Sequence, residues 1–143
     1  MDQLPAGLAG ASIMTGQSVA NWADLVKSRL HSWEAQRDTD PAEVVRQCRT
    51  LLESGPRRLC EPLTEAIAQG EIDRLLEHQA PDAAALRLLA RCGYMLSSSG
   101  GGLHIASVKL PAADRDYSFS AGSVSEAICG AISTALLETL TEE

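Results

Sequence analysis

At 143 residues and 45% hydrophobic content the chain is long and apolar enough for one folded domain with a real core, which argues against a disordered segment. Its net charge of −7 comes from 12 basic and 19 acidic residues spread over both halves. Phosphate-backbone binding needs clustered Lys and Arg, so direct nucleic-acid binding is not expected. No apolar run approaches the ~20 residues of a membrane span. Asp2 stands where a secretory leader would be basic, and Pro5, Gly7 and Gly10 break the run from Leu4 to Met14. A cytoplasmic protein without membrane contact is therefore expected.

Residues 1–17 are small and weakly patterned, and read as a flexible arm ahead of a single domain over 18–143. That domain divides into a helical part, 18–80, and an α-β-β-β-α part, 81–143. The first helix is expected from Ser18 to about Arg37-Asp38-Thr39. Val19, Trp22, Val26, Leu30 and Trp33 recur at steps of three and four and share one face. Asp40-Pro41-Ala42-Glu43 starts the second helix. Asp40 can cap, Pro41 suits the first position, and Glu43 can reach back. Val44, Val45, Cys48, Leu51 and Leu52 form its buried face, and Gly55-Pro56 ends it, with a left-handed glycine expected at the cap. Pro62 is expected in the first turn of a third helix, unless Leu59-Cys60 makes a separate short turn. The apolar phase reverses at Gly70, which opens a fourth helix from Glu71 to about His78. Pro81-Asp82 begins a fifth, apolar nearly all round and so expected to be central, with Gly93 at its end.

The last fifty residues carry the clearest pattern. Tyr94 to Ser97 reads as a first strand, turning through Ser98 to Gly102 into a second, Leu103 to Val108. Neither face of that second strand is strongly polar, so cover on both sides is expected. Tyr117 to Ala121 alternates as a third strand. Ser123 and Glu126 then form a capping box at the head of a helix to about Leu140, which buries Val124, Ala127, Ile128, Ala131, Ile132, Ala135 and Leu136. The fold class is α+β: helices first, then a small antiparallel sheet of two or three strands packed against a C-terminal helix.

The run Tyr117-Ser118-Phe119-Ser120-Ala121-Gly122-Ser123-Val124-Ser125-Glu126-Ala127-Ile128-Cys129-Gly130-Ala131-Ile132 follows a helix, a strand, a turn and a strand. It resembles the small phage proteins of the ABA sandwich family, in which a strand runs into a helix bearing an Ala-Ile-Cys triplet. Here the triplet is Ala127-Ile128-Cys129. The resemblance spans residues 83–137 and does not reach the first eighty. It implies a small αβ layer unit and a phage or prophage origin, and it carries no established chemistry.

Motifs for chemistry are missing. Cys48, Cys60, Cys92 and Cys129 lie 12, 32 and 37 residues apart, each in or beside an apolar helical pattern. They read as buried reduced thiols, with two disulfides in a secreted protein as the alternative. His31, His78 and His104 show no zinc-ligand spacing, so neither metal nor cofactor is expected. Ser97-Ser98-Ser99-Gly100-Gly101-Gly102 lacks the following helix and lysine of a phosphate loop and reads as a hairpin turn. Tyr117 and Phe119 could stack bases, but Asp114 and Asp116 flank them.

What remains points to binding. The leading expectation is a small acidic non-enzymatic protein that binds and regulates or inhibits a protein partner, in a phage or prophage accessory or counter-defence role. A ligand-binding domain or enzyme with a site between sheet and helices is the alternative, and a nucleic-acid mimic the third. Candidate partner contacts are Trp22 and Trp33, if either is exposed rather than core, and a basic cluster of Arg46, Arg49, Arg57 and Arg58, interspersed with Glu43, Glu53 and Glu61. A short open sheet leaves unpaired edges, so self-association as a homodimer is expected.

Overall fold

The computed structural model describes residues 16–35, 40–111 and 113–142. Along them run α1 (Gly16–Ala35), α2 (Pro41–Ser54), α3 (Arg57–Thr64), α4 (Glu71–Glu77), α5 (Pro81–Leu88), β1 (Gly93–Ser98), β2 (His104–Lys109), β3 (Tyr117–Ala121) and α6 (Val124–Glu142). The class is α+β. Helices precede an antiparallel sheet of order β1-β2-β3, which packs against α6. Most of the arm read over residues 1–17 lies outside the described residues, as does the expected end of the first helix at 37–39. Gly16 and Gln17, read as part of the arm, already belong to α1.

The centre of the molecule is α6. From Ser125 to Leu137 every residue but Thr134 is buried. Its surroundings explain this: β2 and β3 lie on one side, and α1, α2 and α5 on the other. A helix enclosed all round needs no polar face, and its small residues let neighbours approach closely. Phe119 of β3 lies directly on Gly130. The sequence pattern assigned this central place to α5 instead. Alanine makes α5 look apolar on every side, but the helix ends at Leu88 and leaves Leu86 exposed.

Three polar devices fix the ends of α6. Ser123 accepts the Glu126 N–H at 3.1 Å and donates its hydroxyl to Glu126 Oε1 at 2.9 Å. The expected box is thus closed through the hydroxyl. Asp82, in the first turn of α5, adds a cap from outside. Its Oδ1 accepts the Ser125 N–H at 3.2 Å and the Ser125 hydroxyl at 2.6 Å. Asp82→Ala should therefore cost about 1–2 kcal/mol, as losing a cap does. Chemical denaturation would show it, and Asp82→Asn, which keeps the accepting oxygen, should recover most of the loss. At the far end Glu142 accepts the Tyr117 hydroxyl at 2.9 Å and pairs with Arg115 at 3.2 Å, tying α6 to the start of β3.

Local rules explain the other helices, with two corrections. Asp40 caps α2 by accepting the Ala42 N–H at 3.1 Å, while Glu43 turns to Arg46 and does not reach back to the cap. Gly55 is extended, with φ −88° and ψ −178°, where a left-handed cap was expected. Its lack of a side chain has another cause: a Cβ would sit 2.6 Å from the Trp22 ring and 2.7 Å from the Cys60 sulfur. Helix α3 begins at Arg57, so Pro62 lies inside it and not in its first turn. In so short a helix proline removes a single ladder bond. Gly70 is left-handed at φ 77° and opens α4 where the apolar phase reverses.

Helices α4 and α5 are tied by Arg87. Its guanidinium bonds Glu71 Oε2, and its Nη2 reaches Ala66 O at 3.1 Å. The Ala68 N–H donates to the other Glu71 oxygen at 3.0 Å. That backbone bond first, and Arg87 next, hold the Glu71 carboxyl below its ordinary range. A lowered folded pKa gives stability that is present above the ordinary carboxylate range and lost as pH falls through the lowered value. Glu71→Gln should flatten the acid limb of the stability profile, read from melts between about pH 6 and about pH 2.

Candidate functional site

The residues singled out for partner contact are engaged inside the fold. Trp22 is 4% exposed and donates its indole N–H to Leu51 O at 2.9 Å. Trp33 is 3% exposed and donates to Gln47 Oε1 at 2.9 Å. This corrects the reading of either as an exposed anchor: the face of α1 that carries them is pressed onto α2 and α6. The arginines do not converge either. Arg46 pairs with Glu43 at 3.6 Å, and Arg49 with Asp73 at 2.6 Å and Glu53 at 3.9 Å. Arg57 is bonded to Glu61, and Arg58, though exposed, is also engaged. Arg46, Arg49 and Arg57 line three different clefts. These pairs set a carboxylate against Arg46, Arg49 and Arg57.

The thiols are placed for packing. All four are free; Cys48, Cys60 and Cys129 are buried and Cys92 is half-buried. Burial, and next the neighbouring Cys48, pushes the Cys60 thiol up to about 12; burial alone pushes Cys92 up to about 11. Burial raises Cys129 as well. Only thiolates alkylate readily. At about pH 8, iodoacetamide should leave Cys60 and Cys129 unmodified in the folded chain and label both once urea unfolds it. Rapid labelling of either in the native state, read by mass spectrometry, would contradict this placement.

Among the described residues no group of three His, Cys, Asp or Glu side chains could hold a metal ion. The closest approach to a catalytic pair is in the hairpin, where Ser98 Oγ lies 2.8 Å from His104 Nδ1. Both are cross-strand partners in the β1–β2 ladder. No carboxylate among the described residues bonds the ring, so the third member that orients a catalytic base is missing. No described helix is long and apolar enough to cross a membrane.

The surface feature that stands apart is the sheet. Among the described elements α6 is the one packed extensively on it, over β2 and β3, and every residue of β1 is exposed. Tyr94 is 53% exposed, Met95 71% and Leu96 38%, and Leu103 stands beside them at the hairpin. The only other exposed large apolar residues among those described, Leu25 and Leu86, lie on separate helices. Cover on both sides of β2 was expected, but only Ala106 and Val108 are buried. Ile105 and Ser107 stay half-open on the far face. Across it the Ser107 and Ser118 hydroxyls bond at 2.6 Å. This face and edge are almost free of charge: no acidic residue occurs between Asp82 and Asp114, or from Tyr117 to Ser125. Lys109 is the strands' one charged side chain.

Backbone phase shows what the edge offers. Ser99 N–H donates to Leu103 O at 2.8 Å and closes the hairpin. With pairs Ser97↔Ile105, Met95↔Ser107 and Gly93↔Lys109, the ladder then points Gly93, Met95 and Ser97 at β2. The N–H and C=O groups of Tyr94, Leu96 and Ser98 point the other way, to the open edge.

A cleft of about 420 Å³ lies between the end of α1, the Gly101-Gly102-Leu103 turn and the start of α6. Trp33, Glu34 and Glu126 line it. Its two carboxylates suit a small organic cation.

No family model, curated protein or solved structure matches the chain. The exposed apolar residues that sequence reasoning did not single out are Tyr94, Met95 and Leu96, read only as a short strand. The signal was available in the charge map, as a thirty-residue stretch without a carboxylate in an otherwise acidic chain.

Proposed function

We propose that the chain is a small acidic non-catalytic cytoplasmic protein that binds and regulates a partner protein, with the uncharged side of its sheet as the contact surface. One observation carries the reading: the exposed apolar residues gather on β1 and its hairpin, where the chain bears almost no charge. Contiguous exposed apolar surface marks interaction sites, and an open strand edge can take up an added strand. Inhibition fits this surface, because an apolar face occupies a partner without chemistry. A phage or prophage accessory role agrees with the resemblance of residues 83–137.

The test is capture from lysate of the native host, with Ile105→Lys, a change on the open face, as control. The expected result is a stoichiometric partner on the unmodified chain, and none on Ile105→Lys at an unchanged melting temperature. Equal capture by both chains would refute the surface, and no partner at all would refute the function.

The cleft at Trp33 favours a second reading, a small ligand-binding domain. Quaternary ammonium and primary amine compounds would then raise the melting temperature at millimolar concentration, through preferential binding to the folded state. No rise with either class would rule this reading out.

A further inference from the structure

We infer that the strand that adds to β1 is β1 of a second copy of this chain, paired antiparallel about a two-fold axis at Leu96, so that two three-stranded sheets become one. This rests on the reading of the sheet as the contact surface, and it names the occupant of the edge.

Three observations select a second copy. The first is the absence of protection. Natural edges carry charges, prolines or bulges that block pairing. Gly93-Tyr94-Met95-Leu96-Ser97-Ser98 has none, and it pairs with β2 along its whole length without a bulge. The opposite edge, β3, has no charge within the strand, but the charged Asp114-Arg115-Asp116 leads directly into it. The second is charge. Two chains of net charge −7 repel, and the long carboxylate-free stretch around β1 lets them meet without placing acids face to face. A strongly basic partner would find no counter-charge on this edge.

The third is register. The outward groups belong to Tyr94, Leu96 and Ser98, a set centred on Leu96. About that axis Leu96 faces the partner's Leu96, and Tyr94 faces the partner's Ser98. All the outward N–H and C=O groups of the strand then find mates. An axis at Met95 would set Tyr94 against the partner's Leu96 and leave the Ser98 groups outside the paired strands. The Leu96 axis also sets the exposed Leu96 against its counterpart and places Tyr94 diagonally across from the partner's Leu96. The open face with Met95, Ile105 and the serines is doubled and remains available to the regulated protein.

The register gives the test its form, because residue 96 meets only its own copy. The full chain is compared with Leu96→Lys and Leu96→Glu by light scattering at tens of micromolar, each alone and mixed in equal amounts. Leu96 is partly exposed and its N–H points outward, so thermal melts should show both variants folded. The expected result is a dimer mass for the unmodified chain. Each variant alone should be a monomer, with a dissociation constant raised at least about tenfold by like charges on the axis. The mixture should regain the dimer mass. A monomeric unmodified chain overturns the inference. So does either variant remaining dimeric alone, and a mixture that stays monomeric overturns the axis at Leu96. A monomer that still loses its captured partner through Ile105→Lys removes this inference alone. A dimer that captures no partner removes the regulatory reading alone.

Discussion

Alanine at Trp33 or at Trp22 should cost about 3–5 kcal/mol of stability, the cost of emptying a large aromatic site in a close-packed core. In a chain of this length that lowers the melting temperature by roughly 10–17 °C. Two effects combine. The rings are 3% and 4% exposed, and α2 and α6 cannot close over the space they fill. Each indole N–H also serves an acceptor, the half-buried Gln47 Oε1 for Trp33 and the buried Leu51 O for Trp22. Phenylalanine refills most of the volume but orphans the acceptor, so Trp22→Phe should cost about 1–3 kcal/mol. The measurement is urea denaturation of the three variants. A Trp33→Ala chain with unchanged stability and lost partner binding would return α1 to the list of interfaces and undo its packing.

The second large effect is at Gly130. A Cβ there would fall within the Phe119 ring. The ring has no room to withdraw, because Phe119 is held by the β3 ladder opposite Ala106. Overpacking of this kind costs about 1–3 kcal/mol, and more where the backbone must shift. Since Gly130 is mid-helix, alanine would otherwise help by about 1 kcal/mol through helix propensity. Gly130→Ala is therefore a sharp test: stabilisation means an ordinary helical glycine, destabilisation means a steric one. Pairing it with Phe119→Leu, which opens space beneath the ring, should recover part of the loss.

Much of the fold was legible in the sequence because its punctuation is local. Asp40-Pro41, Gly70, Pro81 and Ser123 each act within a few residues, and the elements start at or beside them. The alternation of Tyr117, Phe119 and Ala121 needs only the period of a strand. Position in the molecule was less legible. The α5 pattern and the α6 pattern are both apolar all round, and only the assembled layers show which one the others enclose. Gly55 was legible as a helix end, but its reason, the Trp22 ring, lies thirty-odd residues away in sequence. The exposed apolar patch proposed as the binding surface was the least legible. Tyr94, Met95 and Leu96 have an ordinary strand pattern, and nothing local says that α6 stops short of covering them.

The central claim is that the β1 edge takes up another strand, and amide exchange resolved by residue tests it most directly. The N–H groups of Met95 and Ser97 bond β2 and should be protected at every concentration. Those of Tyr94, Leu96 and Ser98 point outward. The account predicts that these three become protected as the chain is concentrated to tens of micromolar and lose protection on dilution. Exchange of all three at the rate of an open loop, unchanged across that range, would contradict it.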